Sequence, residues 1–245
     1  MTVKRKDIRE IELELTGMCN LGCYICSRNF KHSVHTKKVN VRKLEEITNQ
    51  LDTFTGLRTF FIAGISSEPT LYPEFFGFLE YLNRRGITYE IYSNGNTHDR
   101  QWWESLGGIV PENCKMVFTV CGSTQELHEK YRVGSNLEEI LEHASSFRRN
   151  GKRNDYCQHI LFEYNQPDYK SGNMNRIFKM FSHSFQVHSE GRRLIDEKIK
   201  ECPEGVRPPV KVNSKIDYIF KDIPQPGQDI GIKCKLDSWK KMYID

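Results

Sequence analysis

Three cysteines lie close together near the start of the chain, in the segment TGMCNLGCYICSR at residues 16–28. Cys19, Cys23 and Cys26 have the spacing C-x3-C-x2-C, so a loop that wraps around a metal centre can bring all three thiolates to it. A 4Fe–4S cluster normally takes cysteine ligands on all of its irons, and a three-cysteine set leaves one iron open. The spacing therefore indicates a cluster whose open iron binds a small chelating molecule.

The same cysteines also fit a structural zinc site. Zinc sites of this kind use four cysteine or histidine ligands, and His32 or His35 could complete a Cys3His set. In that interpretation the chain is a zinc-binding adaptor module without catalysis. The cysteine spacing alone leaves both alternatives open.

Composition and charge narrow the class of protein. The chain has 245 residues, eight cysteines and a formal net charge of +4. No stretch approaches the roughly 18 apolar residues of a membrane span, and the basic N-terminus lacks the apolar segment of a signal peptide. We therefore expect a cytoplasmic protein whose cysteines do not form a disulfide framework. The mild positive charge does not favour nucleic acid as a partner.

Strand and helix patterns alternate along most of the chain. Alternating or buried apolar residues predict six strands, at residues 9–16, 58–64, 87–95, 115–122, 157–165 and 184–188. Amphipathic patterns predict helices between the strands. One of these helices covers residues 99–106 and ends at Gly107 and Gly108. Another begins at a capping box formed by Ser135 and Glu138. This alternation predicts βαβ units and a parallel sheet, either as an open partial barrel or as a flat doubly wound sheet.

The pattern divides the chain into two parts. Residues 1–192 form the predicted core, and residues 193–245 form an extended tail rich in proline and glycine. The tail contains Cys202 and Cys234. Its last segment is KCKLDSWKKMYID, which contains Cys234, and no cysteine pair comes after it.

The sequence resembles the radical S-adenosylmethionine (SAM) superfamily. The cysteine motif follows the first predicted strand, and three later segments match in order: FIAGISSEPTLYP at 61–73, IYSNGN at 91–96 and FTVCGSTQELHEKYRVGSN at 118–136. The resemblance implies an α/β fold, a partial (β/α)6 barrel, with a 4Fe–4S cluster and SAM as cofactors. It further implies that the enzyme cleaves SAM reductively, makes a 5′-deoxyadenosyl radical and abstracts hydrogen from an organic substrate. Methyl or aminocarboxypropyl transfer from SAM is an alternative use of the same fold.

The resemblance also assigns roles to individual residues. Cys19, Cys23 and Cys26 would bind the cluster, and nine further positions would face SAM or the substrate radical. The cofactor-binding candidates are Tyr24 and Asn165 for adenine, Ser66, Ser67 and Glu68 for the methionyl amino group, Ser93 and Asn94 for the ribose, and Arg132 for the carboxylate. Cys121 is a candidate hydrogen-atom donor, although a buried packing role is the simpler interpretation.

Partners follow from the same resemblance. The tail is similar to the opening of a SPASM or twitch extension with Cys234 as its first ligand, which suggests a peptide substrate. A sugar or a nucleotide fits the barrel equally well. Residues 31–38 are basic and lie beside the cysteine loop, so they could dock an acidic electron donor such as flavodoxin or ferredoxin.

Overall fold

The computed structural model describes residues 4–23, 26, 41–64, 67–162 and 164–188. Several sequence-based predictions lie outside these residues. They concern Tyr24, Ser66, His32, His35, the basic residues 31–38, and the tail 193–245 with Cys202 and Cys234.

Six strands form one parallel sheet. They are β1 (Glu10–Leu13), β2 (Thr59–Ile62), β3 (Thr88–Ser93), β4 (Lys115–Val120), β5 (Asp155–Leu161) and β6 (His183–His188). Each strand pairs with the next one in the chain, so the order is β1-β2-β3-β4-β5-β6. A doubly wound sheet reverses its strand order at a switch point, whereas a (β/α) barrel keeps the chain order. The predicted α/β fold with a parallel sheet of the partial-barrel type is confirmed.

Seven α-helices accompany the strands in the described part of the chain. They are α1 (Leu44–Leu51), α2 (Phe75–Arg84), α3 (Arg100–Ile109), α4 (Gln125–Glu129), α5 (Leu137–Phe147), α6 (Gln166–Lys170) and α7 (Met174–Phe178). The helix patterns did not predict α4 and α6, which have five residues each and show too little periodicity to be recognised. No helix of the described residues is long and apolar enough to cross a membrane.

Two predicted helix boundaries are wrong. α5 begins after Asn136, whose side-chain oxygen accepts a hydrogen bond from the Glu139 amide, so Ser135 is not the capping residue. Gly107 and Gly108 do not end α3 but lie inside it. A Cβ at Gly107 would lie only 2.0 Å from the carbonyl oxygen of Phe147, so this glycine permits α3 to contact the end of α5 closely.

The hydrophobic core lies between the sheet and the helices. Alternate side chains of each strand face the helices, as Phe60 and Ile62 of β2 do, and pack with helix residues such as Trp103 and Leu106 of α3. The opposite face of the sheet carries polar contacts. The Lys115 ammonium lies 2.6 Å from Glu90 Oε1 on that face. The apolar packing therefore holds the strands in place and leaves their carboxyl ends to carry polar side chains.

Candidate active site

The cysteine loop leaves the carboxyl end of β1 and is held by the segments that follow the next three strands. The Glu68 amide after β2 donates to the Met18 carbonyl at 2.7 Å. The Asn20 side-chain amide donates to the Asn96 carbonyl after β3 at 2.6 Å. The Gly22 amide donates to the Val133 carbonyl after β4 at 2.9 Å. The loop is therefore positioned by three neighbouring strand ends, where parallel barrels carry their sites.

The three thiols of the loop lie within electrostatic reach of one another. Cys19, Cys23 and Cys26 are partly exposed and form no disulfide with one another or with the other described cysteines. The pKa of the Cys23 thiol is raised to about 12, chiefly by burial; the Arg132 guanidinium opposes this shift, and the Cys19, Cys26 and Cys121 thiols add to it. The metal-free site thus favours the neutral thiol of Cys23, and binding of an iron–sulfur group would have to release its proton.

The number of thiols matches what a cluster with one open iron requires. Each iron of a 4Fe–4S cluster takes its own thiolate, so three cysteines serve three of the four irons. A zinc ion would need a fourth ligand to meet the three thiols, and the candidates for it, His32 and His35, lie outside the described residues.

Glu68 is a buried carboxylate surrounded by hydrogen-bond donors. Its Oε1 accepts from the Ser93 hydroxyl at 2.7 Å, from the Thr70 hydroxyl at 2.7 Å and from the Thr70 amide at 3.2 Å. Its Oε2 accepts from the Asn94 amide at 2.7 Å. Burial raises the pKa of Glu68, and these donors only partly offset that cost. Glu68 therefore ties the end of β2 to the end of β3.

Ser93 and Asn94 are buried beside Glu68 with their side chains occupied by protein partners. The Ser93 hydroxyl donates to Glu68 and accepts from the Gly95 amide at 3.0 Å. The Asn94 side-chain nitrogen lies 2.9 Å from Asn20 Oδ1 and 3.9 Å from Cys19 Sγ. Of the predicted ribose-binding pair, Asn94 thus contacts the cysteine loop directly.

Ser67 lies close to Gly64. A Cβ at Gly64 would lie 2.1 Å from the Ser67 carbonyl oxygen, so this close approach requires glycine at position 64. The Ser67 hydroxyl donates to Glu14 Oε1 at 2.9 Å, on the segment that leads from β1 to the cysteine loop.

Arg132 and Cys121 form a pair beside the cysteine loop. The Cys121 thiol is buried and hydrogen-bonded to Arg132, and burial raises the pKa of Cys121 although the guanidinium opposes the shift. The nearby Cys121 and Cys23 thiols raise the pKa of Arg132, which keeps its positive charge. Its buried Nε atom has no hydrogen-bond partner among the described residues. Arg132 therefore places a cation next to one of the three loop thiols.

Asn165 is fully buried and acts as a brace between β4 and β5. Its Oδ1 accepts from the Phe162 amide at 2.8 Å. Its side-chain nitrogen donates to the Cys121 carbonyl at 2.8 Å and to the Ile160 carbonyl at 2.9 Å. All of these contacts are to the backbone, so the amide has its hydrogen-bonding groups engaged within the protein.

Three supporting residues were not predicted from the sequence. Asn20 links the cysteine loop to the end of β3. The one feature of the sequence that could have indicated this role is its position between two of the cysteines. His128 of α4 accepts from the Cys121 amide through Nδ1 at 3.0 Å. Asp168 of α6 accepts from the amide and the hydroxyl of Ser123 at 2.9 and 2.6 Å. His128 and Asp168 lie on the two short helices that the sequence patterns missed.

Comparisons with known proteins agree with this geometry. The sequence model described as "Radical SAM superfamily" matches residues 13–166, from the end of β1 to the first residue of α6. No curated protein matches the chain.

Solved structures share the fold at low sequence identity. Histidine-tagged anSMEcpe with bound AdoMet is 17% identical with a TM-score of 0.56, over 74% of this chain and 51% of that one. Streptococcus suis SuiB bound to the precursor peptide SuiA is 14% identical with a TM-score of 0.57, over 78% of this chain and 45% of that one. A radical SAM methyltransferase from Sphaerobacter thermophilus is 12% identical with a TM-score of 0.50, over 78% of this chain and 63% of that one. The chain spans about half the length of the first two proteins.

Proposed function

The chain belongs to the radical SAM superfamily, and we propose that it cleaves SAM reductively and abstracts hydrogen from an organic substrate. Cys19, Cys23 and Cys26 would bind the 4Fe–4S cluster. When bound, the cluster supplies one electron to the sulfonium of SAM, whose cleavage yields the 5′-deoxyadenosyl radical. The observation that carries this proposal is the set of three thiols around Cys23, held by the ends of three adjacent strands.

Arg132 is our candidate for the SAM carboxylate. Its guanidinium is charged and close to Cys23, and no group in the described part of the chain accepts a hydrogen bond from its buried Nε. An unsatisfied buried donor costs about 1–3 kcal/mol, so a carboxylate that accepts from it would be bound favourably. Guanidinium and carboxylate also match in shape for paired hydrogen bonds.

Glu68 is our candidate for the environment of the SAM ammonium. Its carboxylate is buried and has donors around it, but the burial-raised pKa shows that these donors do not compensate fully for the lost solvation. A bound ammonium near this carboxylate would supply a countercharge. Ser93 and Asn94 could bind the ribose hydroxyls only by exchanging hydrogen bonds that they make to Glu68 and Asn20.

Tyr24, Ser66, Ser67 and Asn165 complete the proposed SAM site, and Tyr24 and Ser66 are assigned from the family resemblance alone. Ser67 lies at the turn next to Glu68, but its hydroxyl is bonded to Glu14. Asn165 would have to act through the backbone segments that it braces, since its amide is already engaged. Cys121 as a hydrogen-atom donor would require Arg132 to release its thiol.

A peptide is the proposed substrate class. The support is the shared fold with SuiB, whose structure contains the precursor peptide SuiA, together with the tail at 193–245 that resembles the opening of a SPASM or twitch extension. We place the enzyme in the cytoplasm, where thiols stay reduced.

A flavodoxin or ferredoxin is the proposed electron donor. Docking at the basic residues 31–38 predicts that charge reversal of Lys37 and Lys38 slows electron transfer at low ionic strength and has little effect at high salt. Unchanged transfer at low salt would exclude this docking site.

The proposed function is tested by metal content and by the fate of SAM. Protein purified without oxygen and reconstituted with iron and sulfide should contain about four irons per chain and show a brown absorption that bleaches on reduction. The triple variant Cys19→Ala, Cys23→Ala, Cys26→Ala should bind none, while Cys114→Ala, which removes a buried thiol behind β3, should bind iron normally. Reduced enzyme should convert SAM to 5′-deoxyadenosine.

Other results would support the alternatives. One tightly bound zinc per chain and no iron would refute the enzyme proposal in favour of a Cys3His adaptor module. An iron-loaded protein that consumes SAM without forming 5′-deoxyadenosine would indicate methyl or aminocarboxypropyl transfer.

A further inference from the structure

We propose that the side-chain amide of Asn94 donates a hydrogen bond to the sulfur of Cys19 and thereby raises the reduction potential of the cluster. The inference rests on the proposed function, because it concerns the cluster that Cys19 would bind. It gives Asn94 a role in tuning the metal centre, in addition to its candidate role in binding the ribose.

The orientation of the Asn94 amide is determined by its neighbours. Its Oδ1 accepts from the Asn96 amide at 2.8 Å, so its nitrogen must point the other way. That nitrogen lies 2.9 Å from Asn20 Oδ1 and 3.9 Å from Cys19 Sγ. The two N–H groups of one amide are therefore directed at two consecutive residues of the cysteine loop.

The backbone of Asn94 is held independently of this contact. Its amide donates to Glu68 Oε2 at 2.7 Å, and the residue is only 5% exposed. Asn20, the partner of the same side chain, is in turn held through its own amide by the Asn96 carbonyl. The donor is thus fixed in place before any cluster binds and does not need to reorganise when charge arrives at the sulfur.

The effect on the potential follows from electrostatics. The 3.9 Å separation is long, but a negatively charged thiolate attracts an N–H dipole more strongly than a neutral thiol does. One-electron reduction adds negative charge to the cluster, so a donor at a ligand sulfur stabilises the reduced form more than the oxidised form. Burial strengthens this preference because little water is present to screen it.

Arg132 acts in the same direction at a different sulfur. Its guanidinium lies close enough to Cys23 to oppose the rise in the pKa of that thiol. The contribution of Asn94 must therefore be measured by changing Asn94 alone while Arg132 stays in place. Because Asn94 contacts Cys19 and Arg132 lies near Cys23, the two contributions can be separated by substitution.

The test is a redox titration of the reconstituted cluster, followed by electron paramagnetic resonance in the absence of SAM. Asn94→Leu has a similar volume without a donor, and Asn94→Asp keeps the oxygen that accepts from Asn96 but replaces the donor with an acceptor. Both variants should have a lower midpoint potential than the wild type. We expect the equilibrium constant for reduction to fall by up to tenfold in Asn94→Leu, which lowers the midpoint potential by about 59 mV for one electron. The fall should be larger in Asn94→Asp.

A matched control distinguishes the hydrogen bond from a general disturbance of the loop. Asn20→Leu removes the contacts of Asn20 to Asn94 and to the Asn96 carbonyl and so disturbs the loop. The Asn96 amide still holds Asn94 Oδ1 and keeps the side-chain nitrogen directed at Cys19, so the potential should stay near that of the wild type. Equal shifts in Asn20→Leu and Asn94→Leu would assign the effect to loop displacement and overturn the inference. Unchanged potentials in both Asn94 variants would also overturn it. Wild-type protein that takes up no iron would refute the proposed function itself, so the two failures are distinct.

Discussion

Replacing Glu68 with alanine should destabilise the metal-free protein strongly, because Glu68 is 2% exposed and accepts four hydrogen bonds. The hydroxyls of Thr70 and Ser93 can rotate toward other acceptors, and Thr70 Oγ1 already lies 2.7 Å from Thr97 Oγ1. The amides of Thr70 and Asn94 cannot rotate. Each buried amide left without an acceptor costs about 1–3 kcal/mol.

Removal of the carboxylate also relieves an unfavourable burial, since burial raises the pKa of Glu68. We therefore expect a net loss of about 2–4 kcal/mol in the free energy of unfolding. For a protein of this size, 1 kcal/mol shifts the melting temperature by roughly 2–4 °C, so Tm should fall by about 5–15 °C.

Differential scanning calorimetry of the metal-free protein measures this change. Glu80→Ala is the matched control, because Glu80 is exposed on α2 and the substitution should leave Tm nearly unchanged. Glu68→Gln keeps Oε1 but turns a donor toward the Asn94 amide, so its Tm should lie between those of the wild type and Glu68→Ala. A fall of less than about 2 °C for Glu68→Ala would refute the argument that these hydrogen bonds stabilise the strand ends.

Three further predictions concern residues that support the site. Lys152→Met removes an ammonium that donates to the carbonyls of Gly107, Gly108 and Val110 at 2.6–3.0 Å. A denaturant titration should show a loss of about 1–2 kcal/mol in the free energy of unfolding. Lys170→Met is the control, because Lys170 is exposed and its substitution should leave stability unchanged. Asp168→Ala should speed hydrogen exchange at the Ser123 amide, and exchange at the wild-type rate would contradict the assigned contact. His128 is buried and neutral with a pKa lowered to about 3 from 6.5, so the unfolded chain takes up a proton that the folded chain does not. The free energy of unfolding, and with it Tm, should therefore fall as the pH drops from about 6.5 toward 3. His128→Asn should reduce the pH dependence of the free energy of unfolding by up to about 1.4 kcal/mol per pH unit, which corresponds to one proton.

The order of elements was predictable because each strand carries its own local pattern. The alternating glutamates and aliphatic residues of REIELELT predict a strand whatever lies beside it. The neighbours of that strand depend on contacts between distant segments, such as Leu13 opposite Ile62, and no local pattern encodes them. The sequence thus left barrel and doubly wound sheets as alternatives, and strand pairing decides between them.

The candidate metal ligands could be proposed from the sequence for a related reason. Cys19, Cys23 and Cys26 lie in one short segment, so their spacing alone carries the chemistry. The surroundings of Glu68 are different, because its donors come from residues up to 26 positions away on another strand. Resemblance to a family suggested cofactor contacts for Glu68, Ser93 and Asn165, but it did not indicate that their side chains bind one another or the backbone.

The two neighbouring glycines of α3 have opposite consequences for engineering this protein. Gly107 cannot accept a side chain unless α3 and α5 separate, because the Phe147 carbonyl occupies the space. A Cβ at Gly108 would have only the Asn150 side-chain nitrogen nearby, at 3.8 Å. Within a helix, glycine lowers stability by up to about 1 kcal/mol relative to alanine. Gly108→Ala should therefore raise thermostability. It should also leave the spacing of the helices, and the strand ends that they support, unchanged.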